Sequence, residues 1–575
     1  MRELRVYTTS TAFLEALNEA GVEYLFSNFG SDHPALIEAL AQARHDGTPV
    51  PRVITCPNEM VALSAAHGFA QATGRAQAVI VHVECGTQAL AGAVHNAAKG
   101  RIPVLIFAGL SPYTQQGELK GSRNEFIQWI QDVPDQRGIV RGYVKYENEF
   151  RSGHNVKQIT WRALQFALSD PKGPVYLTGT REAMEQEVPP IDAEFADWQP
   201  LSPGALAADQ VEELASALAV AKRPLVVTSY VGRNPLAVVE LVALAHRLGL
   251  GVLESVPNYL NFPTDDVLYQ GNQWNHPVQN AALDAADLVI VIDSDVPWIP
   301  TVSKPRAGTP IFHIDVDPLK QQMPLWYIPA KRSMRADART ALRQIRESID
   351  ALPVDADLVA ERRAHYQALH ASRARQLDEL ESTPAQGLTA EYVTARLRRH
   401  IDAHTTVLNE GISNYHTVIN HLQLSRTGAM YTSGGGSLGW NGGAAIGVKL
   451  ARPDHTVIVM TGDGSYMFSV PSSVHWMARK YATPFLTIVF NNRGWKSPKL
   501  SALAVHPTGY ASKADELDVS FDPPPDYAAI AAASGGAWAR RITRVDEVDA
   551  ALVDALHAVR EERRCAVIDI WLEKL

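Results

Sequence analysis

Residues Thr456–Asn492, TVIVMTGDGSYMFSVPSSVHWMARKYATPFLTIVFNN, read as a strand, a glycine turn at Gly462-Asp463-Gly464, a helix from Ser465 to about Tyr481, and a second strand that ends on Asn491-Asn492. A right-handed βαβ crossover returns both strand ends to the same edge of a parallel sheet, so Asp463 and Asn492 should meet at the carboxyl edge, where open α/β sheets bind ligands. One carboxylate, one side-chain amide and a nearby backbone carbonyl, that of Gly494, are hard oxygen donors of the kind Mg²⁺ prefers. The glycines admit a close backbone approach, and a helix N-terminus favours negative charge. The segment asks for a metal-bound diphosphate.

Working outward, the same alternation of short apolar strands and helical segments fills the chain. EYLFSNF, RVITC, AQAVIVHV and PVLIFAG lie in a first domain over residues 1–185; PLVVTSY, DLVIVID and PIFHIDV lie in a second over 205–350. TVLNEG, AMYTSG, TVIVMTG, PFLTIVF and AVIDIWL lie in a third over 388–575. The fold class expected is α/β, with three doubly wound parallel-sheet domains. QEVPPIDAEFADWQPLSPG reads as a linker, and the charged stretch AERRAHYQALHASRARQLDELE as a helix outside any core. HNAAKGRIPVLIFAG in the first domain and HWMARKYATPFLTIVFNN in the third share a helix ending in a basic residue, then Pro, then an apolar strand, which suggests an internal repeat.

Composition narrows the partners. The chain has 575 residues, 46% hydrophobic and 20% charged, with a net charge of −9, the balance of a globular enzyme. Mixed charges without a basic stripe argue against a nucleic-acid surface, and no apolar run reaches the length of a membrane span. Cys56, Cys85 and Cys565 are odd in number and far apart, so they form neither a disulfide framework nor a zinc knuckle. A cytoplasmic enzyme acting on small molecules is expected.

Two other patterns overlap the glycine-rich run before Thr456. Gly434, Gly436 and Gly439 spell a dinucleotide fingerprint, and Gly435-Gly436-Ser437-Leu438-Gly439 spells a serine nucleophile elbow. Neither accounts for the paired asparagines.

Gly462-Asp463-Gly464 with Asn491-Asn492 resembles the diphosphate and Mg²⁺ motif of the thiamine-diphosphate-dependent enzymes of the acetolactate synthase, benzoylformate decarboxylase and pyruvate decarboxylase type. The spacing between its halves is about two residues longer here. The resemblance implies thiamine diphosphate and Mg²⁺ as cofactors, with Asp463, Asn492 and the Gly494 carbonyl on the metal and Gly462, Gly464 and Ser465 beside the diphosphate. It makes Leu438 the bulky residue under the cofactor and gives the Gly436 carbonyl a hydrogen bond from the aminopyrimidine. LNEGIS is similar to a diphosphate-contacting loop, through Gly411 and Ser413. Glu59, in CPNEM, matches the activating glutamate, which makes the thiazolium C2 proton removable; Ser31 and His82 match substrate-side residues of benzoylformate decarboxylase.

The resemblance further implies a homodimer or homotetramer with active sites between subunits, the glutamate domain of one facing the diphosphate domain of another. The central domain resembles one that holds FAD or ADP in some relatives, although no discriminating nucleotide motif is present. The expected substrate is a 2-oxo acid, with an aldehyde or second keto acid as acceptor in an acetolactate synthase-like carboligation. A decarboxylase that releases an aldehyde is the alternative, followed by a 2-hydroxyacyl-coenzyme A lyase. From other classes come a nicotinamide-dependent oxidoreductase and a non-catalytic cofactor-binding subunit. There are departures: Trp298 and Ile299 stand where benzoylformate decarboxylase carries a second histidine, and the insertion over 493–526 brings Lys496, Lys499 and His506 toward the pocket mouth, most simply as a solvated lid or subunit contact.

Overall fold

The computed structural model describes residues 6–275, 278–384, 386–514 and 516–575. They form three six-stranded sheets, every strand pair being parallel. The first contains β1 (Tyr24–Ser27), β2 (Arg52–Thr55), β3 (Gln77–Val81), β4 (Val104–Leu110), β5 (Glu147–Phe150) and β6 (Val175–Thr180), in the order 2-1-3-4-6-5. The second contains β7 (Pro224–Thr228), β8 (Gly251–Ser255), β9 (Tyr269–Gln273), β10 (Leu288–Ile292), β11 (Ile311–Asp315) and β12 (Arg332–Arg335), in the order 12-11-10-7-8-9. The third contains β13 (Thr405–Glu410), β14 (Met430–Tyr431), β15 (Thr456–Gly462), β16 (Leu486–Asn491), β17 (Trp538–Ile542) and β18 (Ala566–Trp571), in the order 14-13-15-16-18-17.

The first and third orders are the same once renumbered, and the two similar sequence segments supply the fourth strand of each. In such sheets a ligand crevice opens where the strand order reverses. That point lies between β1 and β3 in the first sheet, β7 and β10 in the second, and β13 and β15 in the third.

Two expectations need correction. The helix expected over Ser465–Tyr481 is two helices, Asp463–Phe468 and Pro471–Lys480, separated at Val470, whose φ is +53°. Pro471 has no N–H to donate and its ring clashes with the preceding turn, so a new helix starts there with proline in its first turn. The charged helix Ala356–Leu380 does not lie outside the core, because Arg362 and Tyr366 are fully buried. The Arg362 guanidinium donates to the carbonyls of Leu218 and Leu248, closing the ends of two helices, at 2.9 and 3.0 Å; the Tyr366 hydroxyl donates to the Pro224 carbonyl at 2.8 Å. A long side chain can bury its stem and satisfy its head on free carbonyls, which a hydrophobicity pattern does not register.

The first and third domains share one continuous core. Its centre is the crossing of the helices Glu59–Thr73 and Trp440–Ala451, where backbones touch through glycine. A methyl group on Gly447 would run into the Ala65 carbonyl, one on Gly68 into the Ala444 carbonyl, and one on Gly443 would lie 2.7 Å from the Val61 carbonyl. Backbone cannot rotate away as a side chain can. Gly447→Val is therefore expected to cost about 3 kcal/mol, the upper part of the usual overpacking range, in urea unfolding; an unchanged midpoint would show that the two helices part freely.

Candidate active site

Asp463 and Asn492 follow β15 and β16, at the edge of the crevice between β13 and β15. The register pairs Gly462 with Phe490, so Asp463 and Asn492 leave adjacent strands side by side. Asp463 is 3% exposed, and its carboxylate accepts the Gly464 amide at 2.9 Å and the Gly494 amide at 3.1 Å. The same Gly494 amide donates to Asn492 Oδ1 at 3.2 Å, which ties the two side chains together. No cationic side chain is paired with Asp463 among the described residues, and burial pushes its pKa up to about 6. A desolvated carboxylate next to an amide oxygen fits a hard divalent cation, which would supply the missing positive charge. The Gly494 carbonyl accepts the Lys496 amide at 3.2 Å and keeps its second lone pair.

Around this group, the Gly411 carbonyl lies 3.9 Å from where a Gly462 Cβ would be, which sets the Gly411–Ser413 loop against the metal motif. Ser465 is buried and its hydroxyl has no partner, an orphan donor suited to a phosphate oxygen. Trp495 covers Gly464 and meets Phe468 and Phe521 edge-on. The chain leaving the site there pairs with Val519–Phe521, so the excursion beyond it is closed at its base. Its helix, Lys496–Val505, has no buried residue, and His506 is exposed.

The loop carrying Gly436 and Leu438 is held from two directions. On one side His95 and Asn96 accept the Gly436 and Ser437 amides, both at 3.0 Å, and Asn96 donates to the Ser437 carbonyl at 2.8 Å. On the other, the fully buried Glu410 carboxylate accepts the amides of Gly439 at 2.8 Å and Asn441 at 2.9 Å, together with the Asn441 side chain at 2.6 Å. Gly434, Gly435 and Gly92 allow this docking, since a methyl on any of them would strike Gly100, Asn96 or Ser437. The glycine run thus serves contact between domains. Among the described residues, Ser437 Oγ has no hydrogen bond to a histidine such as a nucleophile elbow needs. Gly436 itself is exposed and Leu438 half-buried, so both face outward from the docked loop.

In the first sheet the equivalent crevice lies between β1 and β3. Asp32, from the turn after β1, accepts from His82 Nδ1 at 2.5 Å and from the Val83 amide at 3.1 Å. His82 Nε2 meets Gln131 Oε1 at 3.0 Å. The Asp32 hydrogen bond raises the His82 pKa above its ordinary value, against burial and with help from the Asp32 charge. His82 is thereby held from both ring nitrogens, by Asp32 on one side and Gln131 on the other. Glu59 begins the helix after β2, which Asn58 caps by accepting the Val61 amide at 3.2 Å. It is half-buried, and desolvation raises its pKa. Ser31 is half-buried beside Asp32.

The structure thus brings together Asp463, Asn492, Gly494, Gly462, Gly464, Ser465 and Gly411 as one group, and Ser31, His82 and Glu59 as another. Within one chain the two have different neighbours: Glu59 faces Gly86 and His82, whereas Asp463 faces the Gly464 and Gly494 amides. Asp32, Gln131, His95, Asn96 and Glu410 were missed. The Asp-His pair after the first glycine turn was a usable signal for Asp32, and LNEGIS contained Glu410. Gln131 lies in irregular chain and had no signal.

The central sheet's crevice is filled. Arg101, from the first domain, reaches between β7 and β10 and bonds Asp295 at 2.7 Å and Asp315 at 3.1 Å. Lys320 bonds the same two carboxylates at 2.9 and 2.6 Å, and Arg101 lies over the Tyr230 ring. The segment after β7, Ser229-Tyr230-Val231, offers side-chain bulk where a phosphate-binding turn needs glycine. These residues do not fit the phosphates of FAD or ADP, which would meet Asp293, Asp295 and Asp315 with their cations already engaged.

Three family models match along the chain: the thiamine pyrophosphate enzyme N-terminal binding domain over 7–139, the central domain over 211–345, and the C-terminal binding domain over 411–570. The chain belongs to the thiamine pyrophosphate enzymes. Among its relatives in that family, the Haemophilus influenzae acetolactate synthase large subunit is 24% identical over 83% of this chain and 81% of its own. Pseudomonas aeruginosa benzoylformate decarboxylase is 26% identical over 96% of this chain and 97% of its own. The solved Rhodococcus jostii 4-hydroxybenzoylformate decarboxylase superposes with a TM-score of 0.79 at 22% identity, over 99% of both chains. As a thiamine pyrophosphate enzyme, the protein has the expected α/β fold. No helix among the described residues is long and apolar enough to cross a membrane.

Proposed function

We propose that this enzyme decarboxylates a 2-oxo acid and returns a proton to the carbon that has lost CO₂, releasing an aldehyde. The observation that carries the reading is the Asp32–His82–Gln131 arrangement, an imidazole held at a fixed place beside Glu59, with its pKa raised by Asp32. Asp463, Asn492 and the Gly494 carbonyl would hold Mg²⁺, and Ser465 with the Gly411–Ser413 loop and Gly462–Gly464 would bind the diphosphate. Leu438 and the Gly436 carbonyl would set the ring geometry, and Glu59 would share a proton with pyrimidine N1′. Bound thiamine diphosphate supplies the electron sink that takes the pair left when CO₂ departs. His82 would then give up its Nε2 proton to that carbon, with Asp32 keeping the ring oriented, while Ser31 would receive the substrate.

This reverses the order of the two reactions expected from sequence. An acid already in place shortens the time in which a second carbonyl could capture the reacting carbon. Carboligation stays as the second reading, favoured by the names of relatives such as acetolactate synthase and by the apolar Trp298 and Ile299 in place of a second histidine.

We further propose that two copies complete each site, supported by the separation of Glu59 from Asp463. Beside Gln131, the apolar Phe126 and Ile130 are 76% and 71% exposed, as expected of a surface that a second copy covers. Product analysis tests the reaction: pyruvate and an aromatic 2-oxo acid, each with and without an acceptor aldehyde, should give CO₂ and the free aldehyde in equal amounts. A hydroxyketone as the main product would establish carboligation instead, and turnover only with a coenzyme A thioester would identify a lyase.

A further inference from the structure

A cavity of about 450 Å³ lies between the carboxyl ends of β8 and β9, the loop carrying Trp298, the helix Ala356–Leu380 and the helix Tyr415–Leu422. Its walls mix polar and apolar side chains, and among the described residues Arg373 is the guanidinium that lines it. Arg373 has no ion pair among the described residues. It lies over the Tyr269 ring, 4.9 Å from the centroid, touches Asn420 Oδ1 at 3.4 Å, and leaves its buried Nε without a partner. The buried Glu254 carboxylate, hydrogen-bonded to Asn261 and Tyr269, acts on Arg373 through its charge but makes no ion pair with it. Burial holds the Arg373 pKa below its ordinary value.

Taking a guanidinium out of water without a counter-ion is costly, and such groups are retained where something pairs with them. Trp274 and Asn272 line the same space. Trp274 is stacked flat on Tyr415, at 4.3 Å and 1°, and Tyr415 stands two residues after the Gly411–Ser413 loop.

We infer that this cavity is a binding site for a small oxyanion, a carboxylate or phosphate received by Arg373. The fork of the guanidinium suits two oxygens of one group, and the cavity has room for a ligand of a dozen or so heavy atoms. Among the described residues the carboxylate on its wall is Glu391, which accepts the Thr417 hydroxyl at 3.2 Å. The oxyanion could be a free ion or the far end of a substrate, and competition separates the two. The inference stands apart from the reaction assigned above, because it concerns binding alone.

The test is calorimetry on the full chain loaded with thiamine diphosphate and Mg²⁺, titrating inorganic phosphate and, separately, succinate, against native protein, Arg373→Met and Arg373→Lys. At least one anion should bind the native protein, raise its melting temperature with the logarithm of concentration, and quench Trp274 fluorescence. Arg373→Met should bind at least about tenfold more weakly and, without anion, melt no lower than native, since an unpaired buried charge has been removed. Arg373→Lys should keep part of the affinity. Displacement of the bound anion by a turned-over 2-oxo acid would mark a substrate subsite, and its indifference a separate ligand. Absence of binding for both anions, or equal binding by Arg373→Met, would overturn the inference and leave the stack on Tyr269 as a packing contact.

Discussion

Glu59→Gln is expected to lower kcat by on the order of 10²–10⁴-fold while leaving the fold and cofactor affinity nearly unchanged. Gln is close in size to Glu, and the helix it begins is capped by Asn58, not by Glu59, so the helix keeps its start. What is lost is the ability to share a proton. Desolvation raises the Glu59 pKa, which favours a carboxyl group that shares a proton, whereas an amide never exchanges one on this timescale. The direct measurement is hydrogen–deuterium exchange at C2 of bound thiamine diphosphate by quenched flow with NMR readout. Fast exchange in the native enzyme should collapse in the variant. Slow exchange in both proteins, with cofactor tightly bound, would remove Glu59 from the chemistry and favour a cofactor-binding protein without turnover.

Asp32→Asn should lower kcat by on the order of 10²-fold and move its pH dependence. In the native enzyme Asp32 raises the His82 pKa, so the imidazolium survives as pH rises until that raised value is passed. Without the carboxylate the imidazolium is lost at a lower pH. The alkaline limb of the kcat profile should therefore shift toward acid, and the loss in rate should be smallest at the acid end. Asn can still accept the Val83 amide, so the turn itself is retained. A variant with reduced rate but an unmoved profile would show that Asp32 only supports the turn, and that His82 is not the proton donor.

These two residues also show how differently the sites were legible. Glu59 was legible as a candidate because it follows a strand and opens a helix in a recognisable motif. The proximity of Asp463 and Asn492 was legible because each sits at a fixed offset from the end of a strand, and parallel pairing turns equal offsets into proximity. Strand identity, the three sheets and the repeat between the first and third domains follow from the same local patterns, since alternation of apolar strands and helices admits few topologies. The break at Val470-Pro471 was read through as one helix, although proline, which removes a donor wherever it falls, was its signal.

Tertiary structure alone decided the rest. Whether His82 is a proton donor depends on Asp32, 50 residues away in sequence, and on Gln131, which no periodic pattern marks. The Gly436–Leu438 loop is shaped by His95, Asn96 and Glu410, three residues whose side chains meet it only because the first and third domains share a core. Arg101 fills the crevice of another domain, and Arg362 closes two helices far from its own segment, both from positions that read as ordinary surface charge. Backbone geometry is set by neighbours a few residues apart, so the chain's order determines it. The pairing of buried polar groups is set by which surfaces come together, and that information exists only once the domains have packed.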